Sequence, residues 1–158
     1  MKISKQIKSK ISKDGKLTIS IDNVEVPEPN EGEVLLKVQA TPINPSDLGL
    51  LVGPADVSSL KTIEKGTKVE MKVPEALLRS VTARLDQNLP VGNEGSGVVE
   101  VAGKGAEHLI GKTVGVAGGA MYSEYRCLPA SSCLEMNEGT SPEPVSYTHL
   151  RAHETDIN

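Results

Sequence analysis

Short apolar runs cut by glycine-containing turns recur along most of this sequence, and that punctuation points to a sheet-based fold. Leu17, Ile19 and Ile21 alternate with Lys16, Thr18 and Ser20 after a turn at Asp14-Gly15, so the chain opens on a hairpin with a half-buried strand. A proline-rich joint at 27–32 leads into 33–40, whose Val34, Leu35, Leu36 and Val38 predict a central strand. Further strands are predicted at 97–102, 113–117 and 121–128. Many short strands of this kind argue for a mainly β, barrel-like core with a minor helical part.

The helical part is predicted at 74–85, where Leu77, Leu78, Val81 and Leu85 share one face, Pro74 suits the first turn and Glu75 suits the helix dipole. This reads as a single surface helix. The polar, weakly patterned text at 53–73 reads as a loop insertion or a short extra hairpin. Lys2, Lys5, Lys8 and Lys10 alternate loosely with isoleucines, which predicts a solvated charge pattern protecting a first strand at a sheet edge rather than a membrane-surface patch.

Composition narrows the function. A chain of 158 residues, 37% hydrophobic, can bury roughly 70% of its unfolded surface as one domain. A formal net charge of -4 gives no basic field for nucleic acid, and a chain with no Phe, no Trp and three Tyr has few stacking platforms for bases. Val, Leu, Ile and Ala must fill the core. Cys127 and Cys133 are too few for a disulfide scaffold and lack a C-x-x-C spacing, so they read as buried or free thiols in a reducing cytoplasm. No apolar run has the length of a membrane helix or signal peptide, and no membrane partner is expected.

Two constellations carry polar chemistry. Asn44-Pro45-Ser46-Asp47 follows the central strand at a strand-to-loop exit, where a rigid sheet can aim polar groups. Each residue also has an ordinary turn-forming role there, and Asp47 suits a cap on a helical turn at Leu48-Gly49-Leu50-Leu51. The second is Gly92-Asn93-Glu94-Gly95-Ser96-Gly97, leading directly into a strand. A dinucleotide-phosphate loop needs G-x-G-x-x-G opening a helix, and this run has neither the spacing nor the context. Gly111-Lys112-Thr113 fails as a phosphate-binding lysine loop for similar reasons: Ala106 holds the required upstream glycine position and a strand follows.

Taken in order, the 33–38 strand, Ile43-Asn44-Pro45-Ser46-Asp47, Gly92-Asn93-Glu94-Gly95-Ser96-Gly97, Gly111-Lys112-Thr113-Val114 and Tyr122-Ser123-Glu124-Tyr125 resemble the medium-chain dehydrogenase/reductase superfamily. The similarity covers about 21–142 and is nearest to the zinc-free quinone oxidoreductase and enoyl reductase branch, with a wider likeness to zinc-type alcohol dehydrogenases. It implies a GroES-like β-barrel as the catalytic domain, with the parent's NADPH- or NADH-binding Rossmann domain missing from this chain. It also implies a small-molecule substrate (a quinone, carbonyl or activated alkene reduced by hydride transfer) and a homodimeric parent. Asn44 and Asn93 stand where zinc-dependent relatives carry Cys and His, so no zinc is expected. The implied roles are Asn44 orienting a substrate carbonyl, Ser46 as the proton-relay hydroxyl, and Asp47, Asn93 and Glu94 as polar supports. The stretch 53–89 exceeds the usual family connection. A stand-alone GroES-like binding module, or a co-chaperonin-like ring former, is the alternative reading.

His149 and His153 have a His-x-x-x-His spacing, yet the string from Ser146 to Thr155 resembles the in-frame translation of a transposase sequencing adapter. The expectation is a truncated catalytic domain at 1–144 followed by a non-native tail at 145–158. Alone, such a domain is expected to be inactive.

Overall fold

Gly15, in the left-handed region at φ +78, turns the chain between strands β1 (Ile3–Ser12) and β2 (Lys16–Glu25), which pair antiparallel from Ile3↔Glu25 to Ser12↔Lys16. The opening hairpin is therefore as the alternation predicts. The computed structural model describes residues 2–137 together with Gly139, Ser141 and Pro142. The 145–158 tail, with His149 and His153, lies outside the described residues.

After β3 (Glu33–Ala40) come helix α1 (Pro45–Leu51), β4 (Asp56–Glu64) and β5 (Lys68–Lys72), then the one-turn helix α2 (Glu75–Leu78) and a 3-10 segment (Arg79–Arg84). β6 (Asn88–Pro90), β7 (Glu94–Ala102), β8 (Thr113–Ala117), β9 (Tyr125–Pro129) and β10 (Cys133–Glu135) complete the order. They form two five-stranded antiparallel sheets, β4-β5-β2-β1-β6 and β10-β8-β7-β3-β9. β3 is central, as predicted, between β7 and β9. The fold is mainly β, but no hydrogen-bonded ring closes among the described strands. Two edges explain this: β6 and β10 are each three residues long, and Pro90 of β6 has no N–H to give. The sheets are stitched where Ile7 N–H donates to Tyr122 O at 2.8 Å and Glu124 N–H donates to Lys5 O at 3.0 Å.

Each sheet has its own apolar cluster. The larger unites Val34, Leu36, Val99, Val114, Val116, Met121 and Leu128, and the smaller unites Ile11, Leu17, Met71 and Val73. Met71 and Met121, both essentially unexposed, supply the flexible bulk that a chain without Phe or Trp cannot take from aromatic rings.

Several local expectations need correction. The 74–85 helix is broken: Val81 leaves helical geometry at φ -115, ψ 18, and only Leu78, Val81 and Leu85 reach the smaller cluster while Leu77 stays exposed. The stretch 53–73 resolves into the extra hairpin, β4 with β5, which exposes Val57, Leu60 and Ile63. β1 is not an edge, because β2 flanks one side and β6 the other. Lys2 instead pairs with Glu100 at 2.9 Å and stacks its ammonium 3.5 Å from the centre of the Tyr125 ring. The 121–128 strand begins only at Tyr125, because the backbone of 121–124 is drawn to other partners: Met121 and Tyr122 N–H donate to Gly92 and Val91. Both cysteines are free thiols and half-buried. Among the described residues, no helix is long and apolar enough to cross a membrane.

Candidate functional site

The chain leaves β3, crosses Thr41-Pro42-Ile43 and enters α1 with Asn44 as the N-cap residue and Pro45 at the first helical position, where its missing N–H costs nothing. Asp47 is the third residue of α1. It does not cap a later turn from outside; it reaches back from inside the helix. Its Oδ2 accepts the Asn44 backbone N–H at 2.8 Å, and its Oδ1 accepts the Asn93 backbone N–H at 2.9 Å. The side chain is 1% exposed, so a buried carboxylate bolts the two polar motifs together across 46 residues of sequence. Its charge also sits in the first turn, the end of the helix that favours an anion.

Around this bolt the other expected residues converge. Asn93 Nδ2 donates to Ser46 Oγ at 3.1 Å, and Asn44 Nδ2 donates to Glu94 Oε2 at 3.4 Å. All five positions singled out in the sequence, Asn44, Ser46, Asp47, Asn93 and Glu94, therefore lie in one cluster. Asn44 and Glu94 are half-buried while Ser46 and Asn93 face outward. Ile43, 72% exposed, and Leu48, 47% exposed, put an apolar rim beside them. A cavity of about 660 Å³ lies between Ile110, Lys112, Thr113 and Glu135, and none of the five lines it. The chemistry sits on an open surface.

Tyr122 enters the sequence analysis only as part of a motif, with no role of its own. Its hydroxyl donates to Pro42 O at 2.9 Å, and its backbone N–H donates to Val91 O at 3.0 Å. Burial first, and then the Asp47 carboxylate, push its phenol up to about 12, so it stays neutral. Gly92, at φ +97, makes room for it, since a Cβ there would lie 2.6 Å from Tyr122 Cδ1. A glycine that yields to an aromatic ring thirty residues on leaves no mark that spacing can detect. Gly97 is likewise a packing residue: its Cβ would fall 2.0 Å from Lys37 O. The glycine run is thus filled by protein atoms, which agrees with the rejection of a phosphate cradle.

The donor set does not fit zinc. Zinc sites are built from thiolates, imidazoles and carboxylates, whereas this cluster offers two neutral amides, a hydroxyl, one carboxylate of Glu94 that already accepts from Asn44, and an Asp47 whose two oxygens both accept backbone N–H groups. Among the described residues no three of His, Cys, Asp and Glu converge.

No family model matches the chain. It is 28% identical over 144 residues to a zinc-type alcohol dehydrogenase-like protein of Schizosaccharomyces pombe, covering 86% of this chain and 34% of that one. Its fold matches a solved Bacillus thuringiensis protein assigned as an NADPH:quinone reductase, with a TM-score of 0.69 at 20% identity over 99% of this chain and 40% of the other. A mycobacterial structure complexed with NADPH matches with a TM-score of 0.57 at 20% identity, covering 98% of this chain and 40% of that one. The fold is that of a GroES-like domain. In part of their length, the chain is similar in sequence to the alcohol dehydrogenase-like protein and in fold to the two solved structures. It spans roughly a third to two fifths of the length of these relatives.

Proposed function

We propose that this chain is the substrate-binding part of an NAD(P)H-dependent oxidoreductase that reduces a quinone, carbonyl or activated alkene. The observation that supports this best is the clamp at the start of α1, where one buried carboxylate fixes an outward-facing amide and hydroxyl in register. Glu94 engages one N–H of the Asn44 amide, which leaves the other to donate to a substrate oxygen and to stabilise negative charge developing there. Asn93 donates to Ser46 Oγ, which leaves the Ser46 O–H free to donate to that oxygen and, as a relay, to pass on a proton that Ser46 regains from solvent water. Ile43 and Leu48 exclude water from one side of the acceptor.

A bound nicotinamide would supply the hydride. The 92–97 run is not its pyrophosphate grip, because Gly92, Gly95 and Gly97 are packed against Tyr122, Met121 and Lys37. The rest of the reading is what the sequence resemblances imply. The parent enzyme binds NADPH or NADH through a Rossmann domain, holds no zinc, forms a homodimer and works in the cytoplasm on a small molecule. The 1–144 domain alone is inactive, and 145–158 is adapter read-through. The test is to read the source DNA beyond Pro144, restore the full-length enzyme and assay Asn44→Ala. Turnover should fall about 100-fold, the scale of losing one donor to an oxyanion, with NADPH affinity unchanged. Full turnover on every accepted substrate would return Asn44 to a turn-forming role.

A further inference from the structure

Helix α1 carries Ser46 and Asp47, and with its N-cap Asn44 it presents most of the site, yet it has only seven residues. A helix that short is not stable by itself in water and depends on what holds its ends. Asp47 accounts for the amino end. At the carboxyl end the last carbonyls lack helical partners, and α1 has no basic residue of its own in the last turn. Leu48 O accepts from the Val52 and Gly53 N–H groups at 2.9 and 3.0 Å. The next two are met by one distant side chain: Arg84 Nη1 donates to Gly49 O at 3.1 Å and Nη2 donates to Leu50 O at 2.9 Å. Ser9 Oγ donates to Leu51 O at 3.4 Å.

Arg84 comes from the end of the broken helical segment, where Val81 and Leu85 anchor the backbone on the smaller core. Its Nε is buried with no partner among the described residues, so the guanidinium is committed to the helix end even at the cost of one orphaned donor. The chain also makes room for it. Gly53, at φ +44, would with a Cβ meet Gly49 O at 2.9 Å and Arg84 Nη1 at 3.3 Å. The cation lies at the negative end of the helix, the mirror of Asp47 at the positive end.

We propose that Arg84 is a positioning residue that fixes the pitch of α1 from behind, and so sets where Asn44 and Ser46 stand relative to Asn93. Its functional meaning rests on the oxidoreductase reading of those residues, but its geometry can be tested without cofactor or substrate. In this role the long 53–89 stretch is more than an appended hairpin: it returns one planar, two-pronged donor to the site helix. Lysine would bring a point charge in place of the planar two-pronged fork.

The experiment uses the whole chain, isotopically labelled. Arg84→Met keeps the apolar stem and removes the fork. Hydrogen exchange of the Val52 and Gly53 amides should speed up at least 10-fold, and the side-chain amide signals of Asn44 and Asn93 should shift, while the Val99 amide in sheet β10-β8-β7-β3-β9 keeps its protection. Arg84→Lys should recover part of both effects. Unmoved Asn44 and Asn93 signals would overturn the proposal, and so would faster exchange spread evenly through both sheets. If Arg84→Met does not fold, Arg84→Gln, with one planar donor group, carries the same comparison. Failure here leaves the oxidoreductase reading untouched, and an inactive restored enzyme leaves these exchange rates unchanged.

Discussion

Asp47→Asn tests the bolt at the centre of the site. The substitution conserves shape and removes the charge, so packing around a side chain that is 1% exposed stays nearly constant. The two carboxylate oxygens accept from two different backbone amides, at 2.8 Å from Asn44 and 2.9 Å from Asn93. An asparagine has one acceptor oxygen, so one amide keeps a partner and the other faces an NH2 group. The loss is one charge-assisted hydrogen bond, plus a buried donor turned against another donor, together about 2–3 kcal/mol. For a chain of this size that lowers Tm by roughly 5–10 °C. Thermal and urea unfolding followed by circular dichroism provide the measurement, with Asp22→Asn, at a half-buried carboxylate that accepts from the Asn88 side chain rather than from backbone amides, as a comparison. A loss below about 0.5 kcal/mol, the ordinary range for surface changes, would refute the claim that one carboxylate joins the two motifs.

Two further outcomes follow from burial. Tyr122 holds its proton to about 12 in the folded chain against 10.0 for an unperturbed phenol, so the unfolded state loses protons first and stability declines as pH rises from 10 to 12. Tyr122→Phe should flatten that decline, and an unchanged slope in alkaline unfolding curves would contradict the assignment. Burial pushes the Cys133 thiol up to about 11 from an ordinary 9.0, which leaves far less thiolate at pH 8, so iodoacetamide should modify Cys133 about 10-fold or more slower than a free thiol. Mass spectrometry of partially alkylated Cys133→Ser and Cys127→Ser variants separates the two sites.

Elements with a strong period, or a turn between two of them, were legible in the sequence. Alternation around Ile19 and the apolar block at Val34, Leu35 and Leu36 sufficed for the hairpin and the central strand. The site was legible only through the order of its motifs, because nothing local in Asn44-Pro45-Ser46-Asp47 says that Asp47 will bind the amide of Asn93. Helical spacing at 74–85 could not reveal the break at Val81, since Leu78, Val81 and Leu85 still reach one cluster once the chain has kinked. Arg84 and Tyr122 were hidden for a related reason. Their partners are backbone carbonyls of Gly49, Leu50 and Pro42, and a carbonyl is the same in every residue.

The strand order has a consequence for synthesis. β1 and β2 complete their pairing within the first 25 residues, but β3, which ends at Ala40, must wait for β7 beginning at Glu94 and β9 beginning at Tyr125. At about 5–20 residues per second on the ribosome, the first of those partners arrives roughly 3–11 s after β3. Through that interval Val34, Leu35 and Leu36 have no native strand neighbour on either side, while the other sheet can already add β5 and β4 to the opening hairpin. A nascent chain of this protein should therefore spend seconds as a reservoir of unpaired, aggregation-competent strand, and the cell's holdases will meet it at β3 first.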